Sequence, residues 1–346
     1  GRMSDVLIRK VGRAGRITLN RPEALNALTY AMCLKIDAAL KAWAGDPAVD
    51  LVVMDATGPR AFCAGGDIAE LYARGTAGDV AFGQRFWRDE YRMNARIADY
   101  PKPVVSLMQG FTMGGGVGLG CHARHRIVGE SSRIAMPECA IGLVPDVGGT
   151  HLLARAPGRV GVWLGLTGSR MGPGDAIFAG FADHFVPEAD WPALIANLEG
   201  GRLAIPDHAA PVSALPAQQA VIDRLFAPGT LAEVVARLVA DGSDVAAAAL
   251  KAMRAGSPLA MAATLEILRR LGPAPSIRQA LETEYLFTFR AQDRADFLEG
   301  IRAAIIDKDR TPHWRHADIG AVTPAEVAAL LAPLEADALT FEEEKV

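Results

Sequence analysis

Cysteine is scarce in this 346-residue chain, and the four present, Cys33, Cys63, Cys121 and Cys139, form no CxxC pair. Such scatter argues against a disulfide scaffold and fits a reducing compartment, the cytoplasm being the simplest expectation. Long apolar runs are missing too: nothing approaches the roughly 18 apolar residues that a membrane span requires. The opening GRMSDVLIRK has neither an apolar stretch nor a small-residue cleavage site, and Gly1-Arg2 ahead of Met3 reads as a cloning scar. There is no excess of positive charge. The formal net charge is −4, which gives no overall attraction to nucleic acid or an anionic membrane. What is there is an ordinary globular composition, 50% hydrophobic and 22% charged, enough for one large or two modest domains. Small molecules are the expected partners.

Short β-rich runs alternate with helical patterns over the first two hundred residues. Val6 to Lys10 and Arg16 to Asn20 read as a hairpin around Arg13 to Gly15, and Thr29 can cap a helix running to about Trp43. A buried strand is expected at Leu51 to Ala56, a helix from Ile68, a polar helix from Asp79 to Asp99, and a strand again at Val104 to Met108 after Pro101 and Pro103. Strand, glycine turn and helix thus occur twice, at 51–74 and 104–124, which predicts an α/β fold of repeated units. Gly200 to Gln218 is rich in proline and alanine and reads as a connector. Gln219 to Gln292 has almost uninterrupted helical periodicity, with Ser257-Pro258 as a helix start. The predicted division is an α/β core over residues 4–200 and a mainly helical region over 201–340. The acidic end, Glu342 to Val346, is expected to fray.

Glycines and acids carry the chemical signal. Phe62 to Asp67 reads FCAGGD, and Gly114-Gly115-Gly116 is followed by Glu138 and Asp146 in MPECAIGLVPD. Glycine permits close approach of backbone N–H groups to a ligand. Two such amides converging from different loops form an oxyanion hole, in which one donor is worth roughly 2.7–4 kcal/mol to the transition state. Glu138 is flanked by Ile134, Ala135, Met136, Cys139, Ala140 and Ile141. Desolvation there favours the protonated form, which suits an acid or base near neutral pH, although an exposed loop acid is the plainer alternative. Asp146 precedes Gly148-Gly149 and reads equally as a turn residue or a functional acid.

Other patterns have plainer explanations. Gly118, Gly120 and Ala123 fit GxGxxA, with Glu138 where a ribose-binding acid would stand, but the preceding strand ends too early and FCAGGD is left unexplained. Close helix packing is the other use of these glycines, and no Walker lysine is present. Cys121, His122 and His125 match no closed zinc pattern, so no metal is expected. Glu90 in FWRDEY reads as a surface helix charge, and Arg85, Arg88 and Arg92 as a solvated face rather than a phosphate contact.

The motifs ITLNRPEALNAL, AFCAGGDI, KPVVSLMQGFTMGGGVGL and AMPECAIGLVPDVGGTHLLAR, in that order, resemble the crotonase, or enoyl-CoA hydratase/isomerase, superfamily. TMGGGVGL, MPE and PDVGG, with the late EYLFTFRAQDRADFLEGIRAAIIDKDRTPHW, resemble its 3-hydroxyisobutyryl-CoA hydrolase branch, from about Val6 to Trp314. The resemblance implies a crotonase-like spiral of ββα units with a helical C-terminal region. It implies an acyl-CoA thioester polarised by the amides of Gly66 and Gly115, with Leu25, Ala64 and Gly65 lining the substrate and Glu90 binding an acyl hydroxyl. Hydratases of the superfamily carry one glutamate three residues after the second oxyanion glycine and another in the PE motif. The first position here is Gly118; the second is Glu138, and Asp146 stands where hydratases commonly have glycine. That pattern implies thioester hydrolysis by Glu138 and Asp146, with a place in valine catabolism. Coenzyme A enters as part of the substrate, no separate cofactor is implied, and a homo-oligomer is expected. An enoyl-CoA isomerase or hydratase is the alternative enzyme, and a non-catalytic acyl-CoA-binding protein the alternative class.

Overall fold

A computed structural model describes residues 4–341; the Gly1 to Met3 lead and the acidic stretch Glu342 to Val346 lie outside them. The chain divides into two compact units, each assembled from separated stretches: residues up to Gly66, Asp89–Ala135 and Arg170–Pro216 form one, and Asp67–Arg88, Met136–Ser169 and the chain from Ala217 onward the other.

The first unit holds all nine strands found among the described residues: β1 Val6–Val11, β2 Ala14–Leu19, β3 Leu51–Ala56, β4 Ala61–Cys63, β5 Val104–Met108, β6 Phe111–Met113, β7 His125–Val128, β8 Arg133–Ala135 and β9 His184–Phe185. Six form a sheet in the order β1-β2-β3-β5-β7-β9, and three form a second sheet, β4-β6-β8. Only β1 and β2 are antiparallel. Each of the pairs β3/β4, β5/β6 and β7/β8 gives one strand to each sheet, so the chain advances one strand per turn in both. That advance is the expected spiral of repeated units.

Parallel strands covered on both faces read as near-continuous apolar runs, and β3 and β5 are apolar but for Asp55 and Ser106. Leu51, Val53, Val105, Leu107 and Ile127 point to one face and pack on Val186, Trp191, Leu194 and Leu198. The last three come from the helix Trp191–Glu199. Burial of each such side chain is worth about 1.5–3 kcal/mol.

Two sequence expectations shift. The β1–β2 turn lies at Gly12 and Arg13, because Gly15 is a strand residue paired with Lys10. Gly15 serves close packing rather than turning: a Cβ there would lie 2.4 Å from the Trp43 ring. Thr29 caps Tyr30–Ala44 through Met32 as expected. The region expected to be a connector already holds the helix Leu215–Leu225, and the helical stretch beyond is cut by Gly229, Gly242, Gly256 and Gly272.

The second unit is helical. Its central helix, Pro258–Leu271, buries nine residues and is capped by Ser257, whose hydroxyl accepts from Ala260. Around it pack Gly149–Arg155, Val160–Thr167 and Ile277–Thr288.

In the first unit, the short helix Gly115–Gly120 lies hard against β4: a Cβ on Gly116 would sit 2.0 Å from the Cys63 carbonyl oxygen. Gly116→Ala therefore forces backbone apart and is expected to cost about 1–3 kcal/mol, read as a lower urea midpoint with unchanged m-value.

Candidate functional site

The sequence-predicted residues fall into two constellations, one in each unit. In the strand unit, β4 and β6 are parallel neighbours, and the chain leaves them at the same edge through Ala64-Gly65-Gly66 and through Gly114. Gly65 has φ +128° and Gly114 φ +51°, values at which a Cβ would be strained. Each sets the direction of the next amide, that of Gly66 or Gly115. A Cβ built on Gly115 would lie 3.2 Å from the Gly66 nitrogen and 3.3 Å from a Glu90 carboxylate oxygen. The two glycine amides and Glu90 thus meet within the reach of one methyl group. Gly66 has no backbone acceptor among the described residues. Gly115 opens its helix, where first-turn N–H groups have no intrahelical acceptor.

A second loop braces this one. Ala64 donates to the Leu25 carbonyl at 3.0 Å, and Leu28 donates to that of Gly65 at 2.9 Å. Leu25 and Asn26 both have positive φ, +52° and +56°, unusual without glycine. Asn26 offsets that strain: its side chain accepts from Arg21 N and donates to the carbonyls of Thr57 and Ala61. Sequence reasoning missed Asn26; the tolerance of asparagine for this conformation was the available signal.

Glu90 is not the surface charge that its neighbours in sequence suggested. It is 4% exposed, on the helix Val80–Ala98, and its charge helps to raise the thiol pKa values of Cys33 and Cys63. For both thiols burial is the larger cause, and that of Cys63 reaches about 12. Arg85 is exposed, and Arg92 approaches Asp89 at 3.6 Å.

In the helical unit Glu138 and Asp146 are both buried, at 5% and 4% exposure, which removes the exposed-loop reading of Glu138. Glu138 opens the 3-10 turn Glu138–Ile141, closed by Gly142 at φ +79°. Ser257, cap of the central helix, donates its amide to the Cys139 carbonyl at 2.9 Å. The Cys139 sulfur lies 3.4 Å from the Thr264 hydroxyl. Asp146 does form a turn, its carbonyl accepting from Gly149 at 2.7 Å. Val147 and Gly148 follow with φ +54° and +77°.

Glu284 was the larger omission. It is fully buried on Ile277–Thr288 and accepts from the amides of Gly148 at 3.0 Å and Thr150 at 3.2 Å, as well as from the Thr150 hydroxyl. Burial, then the nearby Asp146 charge, pushes its carboxyl up to about 8 despite those donors. The signal was periodic: Leu281, Tyr285, Phe287 and Thr288 are buried with it, so Glu284 lies on the apolar face of its helix.

Other patterns resolve into packing. Gly120 makes room for Met108 and Phe62, and Gly118 and Gly120 lie inside a helix rather than before one, so no dinucleotide loop forms. Cys121 sits 3.8 Å from the Met108 sulfur, and His125 stacks on His184. Among the described residues no group of three or more His, Cys, Asp or Glu could hold a metal ion, and no helix is long and apolar enough to cross a membrane.

A family model described as enoyl-CoA hydratase/isomerase matches residues 14–331. The chain belongs to this family. Among curated relatives of this enoyl-CoA hydratase/isomerase chain, the mitochondrial 3-hydroxyisobutyryl-CoA hydrolase of Gallus gallus is 38% identical, over 96% of this chain and 89% of its own. That of Homo sapiens is 37% identical, over 93% and 87%. A crystal structure described as an enoyl-CoA hydratase from Rhodobacter sphaeroides is 77% identical with a TM-score of 0.97, covering 98% of this chain and all of that one. One described as a carnitinyl-CoA dehydratase from Mycobacterium thermoresistibile is 42% identical with a TM-score of 0.93, covering 99% and 100%. The crotonase-like fold is therefore shared. The relatives' mitochondrial names lend no support to the cytoplasmic expectation.

Two outcomes follow for family members built this way. Gly115→Ala puts a methyl group between the Gly66 amide and Glu90; kcat on an acyl-CoA substrate is expected to fall about 10²–10³-fold, with the circular dichroism spectrum unchanged. The second concerns pH. The folded-state pKa of Glu284 is raised from 4.5 to about 8, so the folded state holds a proton that the unfolded chain releases. Its contribution is full below about 4.5 and is lost as pH rises towards 8. Urea midpoints measured across that range are expected to fall for the parent protein and to fall less for Glu284→Gln.

Proposed function

We propose that this chain hydrolyses an acyl-CoA thioester, with 3-hydroxyisobutyryl-CoA as substrate. One observation carries the reading. Position 118, where a hydratase of this family would present its second glutamate, is glycine, while Asp146 supplies a buried acid eight positions beyond buried Glu138. Hydration of a double bond needs a paired acid and base at adjacent carbons. Thioester hydrolysis needs a polarised carbonyl, a nucleophile and a proton for the leaving sulfur.

In this reading the amides of Gly66 and Gly115 hold the thioester oxygen. Glu138 removes a proton from water, and the resulting hydroxide adds to the carbonyl carbon. The tetrahedral intermediate collapses with rupture of the C–S bond, and Asp146 directs a proton to the departing thiolate. The other route is direct attack by Glu138, giving a mixed anhydride that water then cleaves. Both share the same donors and the same leaving group. Glu90 binds the hydroxyl of the acyl group, favouring hydroxyacyl over plain acyl chains because a buried acid left unpaired is costly. Leu25, Ala64 and Gly65 line the acyl portion. The hydrolase names of the curated relatives support this assignment. The hydratase title of the Rhodobacter structure favours a second reading, addition of water to an enoyl-CoA; it requires Glu138 to work without a glutamate at 118. Buried free thiols at all four cysteines fit a reducing compartment, mitochondrial matrix or cytoplasm alike.

A panel of acyl-CoA thioesters, including 3-hydroxyisobutyryl- and 3-hydroxypropionyl-CoA, scored for free thiol beside an enoyl-CoA absorbance assay, separates the two readings. Thiol release is expected to dominate. Glu138→Gln and Asp146→Asn are each expected to lower kcat far more than they raise KM. Parent-like release of CoA by Glu138→Gln would sink the hydrolase assignment.

A further inference from the structure

The turn that carries Asp146 is costly to form. Val147 holds φ +54°, a left-handed conformation in which a β-branched residue is a genuine outlier, and such strain costs on the order of 1–3 kcal/mol unless the surroundings fix it. Gly148 continues the same hand at φ +77°. Nothing in the local sequence favours this conformation at valine. The restraint comes from 136 residues away, where Glu284 accepts from Gly148 N through one oxygen and from both Thr150 N and Thr150 Oγ1 through the other. The clasp begins two residues after Asp146, at the amide that follows the left-handed Val147.

A glutamate is an expensive way to hold a turn, since it is wholly buried and faces Asp146. A carboxyl group next to another acid earns such a position when it determines where that acid points. The inference rests on the hydrolase reading, in which Asp146 acts on the proton of the leaving group.

We propose that Glu284 is a positioning residue for Asp146: its carboxyl group clasps Gly148 and Thr150, holds the Val147-Gly148 turn in its left-handed form, and thereby fixes the Asp146 carboxylate for proton transfer. Glu284 touches no substrate in this scheme and acts only through Asp146.

The experiment uses the full chain. Glu284→Ala removes all three hydrogen bonds. It is expected to lower kcat for thiol release on the order of 10²-fold, the effect of a roughly 1 Å misplacement, with KM changed less than about threefold, as for a group acting in the transition state. Glu284→Gln keeps one oxygen for Gly148 and is expected to recover kcat to within about tenfold of the parent. In an Asp146→Asn background the Glu284→Ala change is expected to cost less than about threefold, because residues acting as one unit do not add. Hydrogen exchange supplies a readout without substrate: the amides of Gly148 and Thr150 are expected to exchange faster in Glu284→Ala, with the central helix Pro258–Leu271 still protected.

Equal losses in the presence and absence of Asp146, a rise in KM at constant kcat, or unchanged exchange at Gly148 and Thr150 would each overturn the proposal. If Glu284→Ala does not fold, Thr150→Val removes one clasp from the other side, and the same readouts apply with smaller shifts. A parent protein that releases no thiol from any thioester refutes the hydrolase reading. The exchange measurement then decides the clasp separately.

Discussion

The tight approach of Gly115 to Gly66 and Glu90 is the constraint on which the proposed chemistry rests. A Cβ on Gly115 would lie 3.2 Å from the Gly66 nitrogen and 3.3 Å from a Glu90 oxygen, so glycine leaves to a carbonyl oxygen a space that a side chain would crowd. Preorganised amides of this kind do not have to reorient as charge develops, which is why their contribution is large. The cost is met by backbone strain. Left-handed residues at Leu25, Asn26, Gly65 and Gly114 surround the approach, and only two of these are glycine. Asn26 ties its own loop to the backbone through three hydrogen bonds, one from Arg21 N and two to the carbonyls of Thr57 and Ala61.

The helical unit repeats that economy with different groups. Here a non-glycine left-handed residue, Val147, precedes a glycine, and a buried polar side chain contributed from elsewhere in sequence closes the turn. Asn26 and Glu284 are thus counterparts. Each is a side chain with several hydrogen bonds to backbone, each is almost wholly buried, and each holds a loop bearing candidate chemistry. The difference is charge. Asn26 is neutral at every pH, whereas burial and the Asp146 charge push the Glu284 carboxyl up to about 8, so only the second clasp changes its electrostatic character with pH.

Much of this was legible in the sequence, and the reasons are local. β3 and β5 are apolar but for Asp55 and Ser106 and lie between glycine and proline punctuation, and the glycine-rich motifs announce close backbone approach because glycine has few other reasons to cluster. The three-residue strands β4, β6 and β8 were not legible, since a run of three has no periodicity to read. Glycine also misled where its role was packing: Gly15 looked like a turn and proved to be the seat of the Trp43 ring. The burial of Glu90 could have been read. Phe86, Trp87, Tyr91, Asn94 and Ile97 are buried with it, a helical stripe that includes position 90. The charge of the surrounding FWRDEY obscured that stripe. Glu284 was passed over altogether, although Leu281, Tyr285 and Thr288 are buried on the same face of its helix. The clasp on Gly148 was beyond sequence reasoning of any kind, because pairing across 136 residues leaves no trace in local pattern.

The distribution of buried acids separates the available chemistries more sharply than the fold does. The same spiral supports addition to a double bond and cleavage of a thioester, and high similarity to a structure described as a hydratase does not choose between them. Addition of water across two carbons requires proton transfers at both, and with glycine at 118 only Glu138 remains from the pair the family uses for it. Hydrolysis moves the demand from carbon to sulfur. A thiolate leaves more readily than an alkoxide, so the reaction tolerates a more distant and less finely matched proton source than hydration does. The proton is still needed at sulfur, because it prevents the departing thiolate from adding back to the product. In the proposed hydrolysis that proton source is Asp146, which precedes a left-handed turn whose Gly148 and Thr150 amides are bound by Glu284.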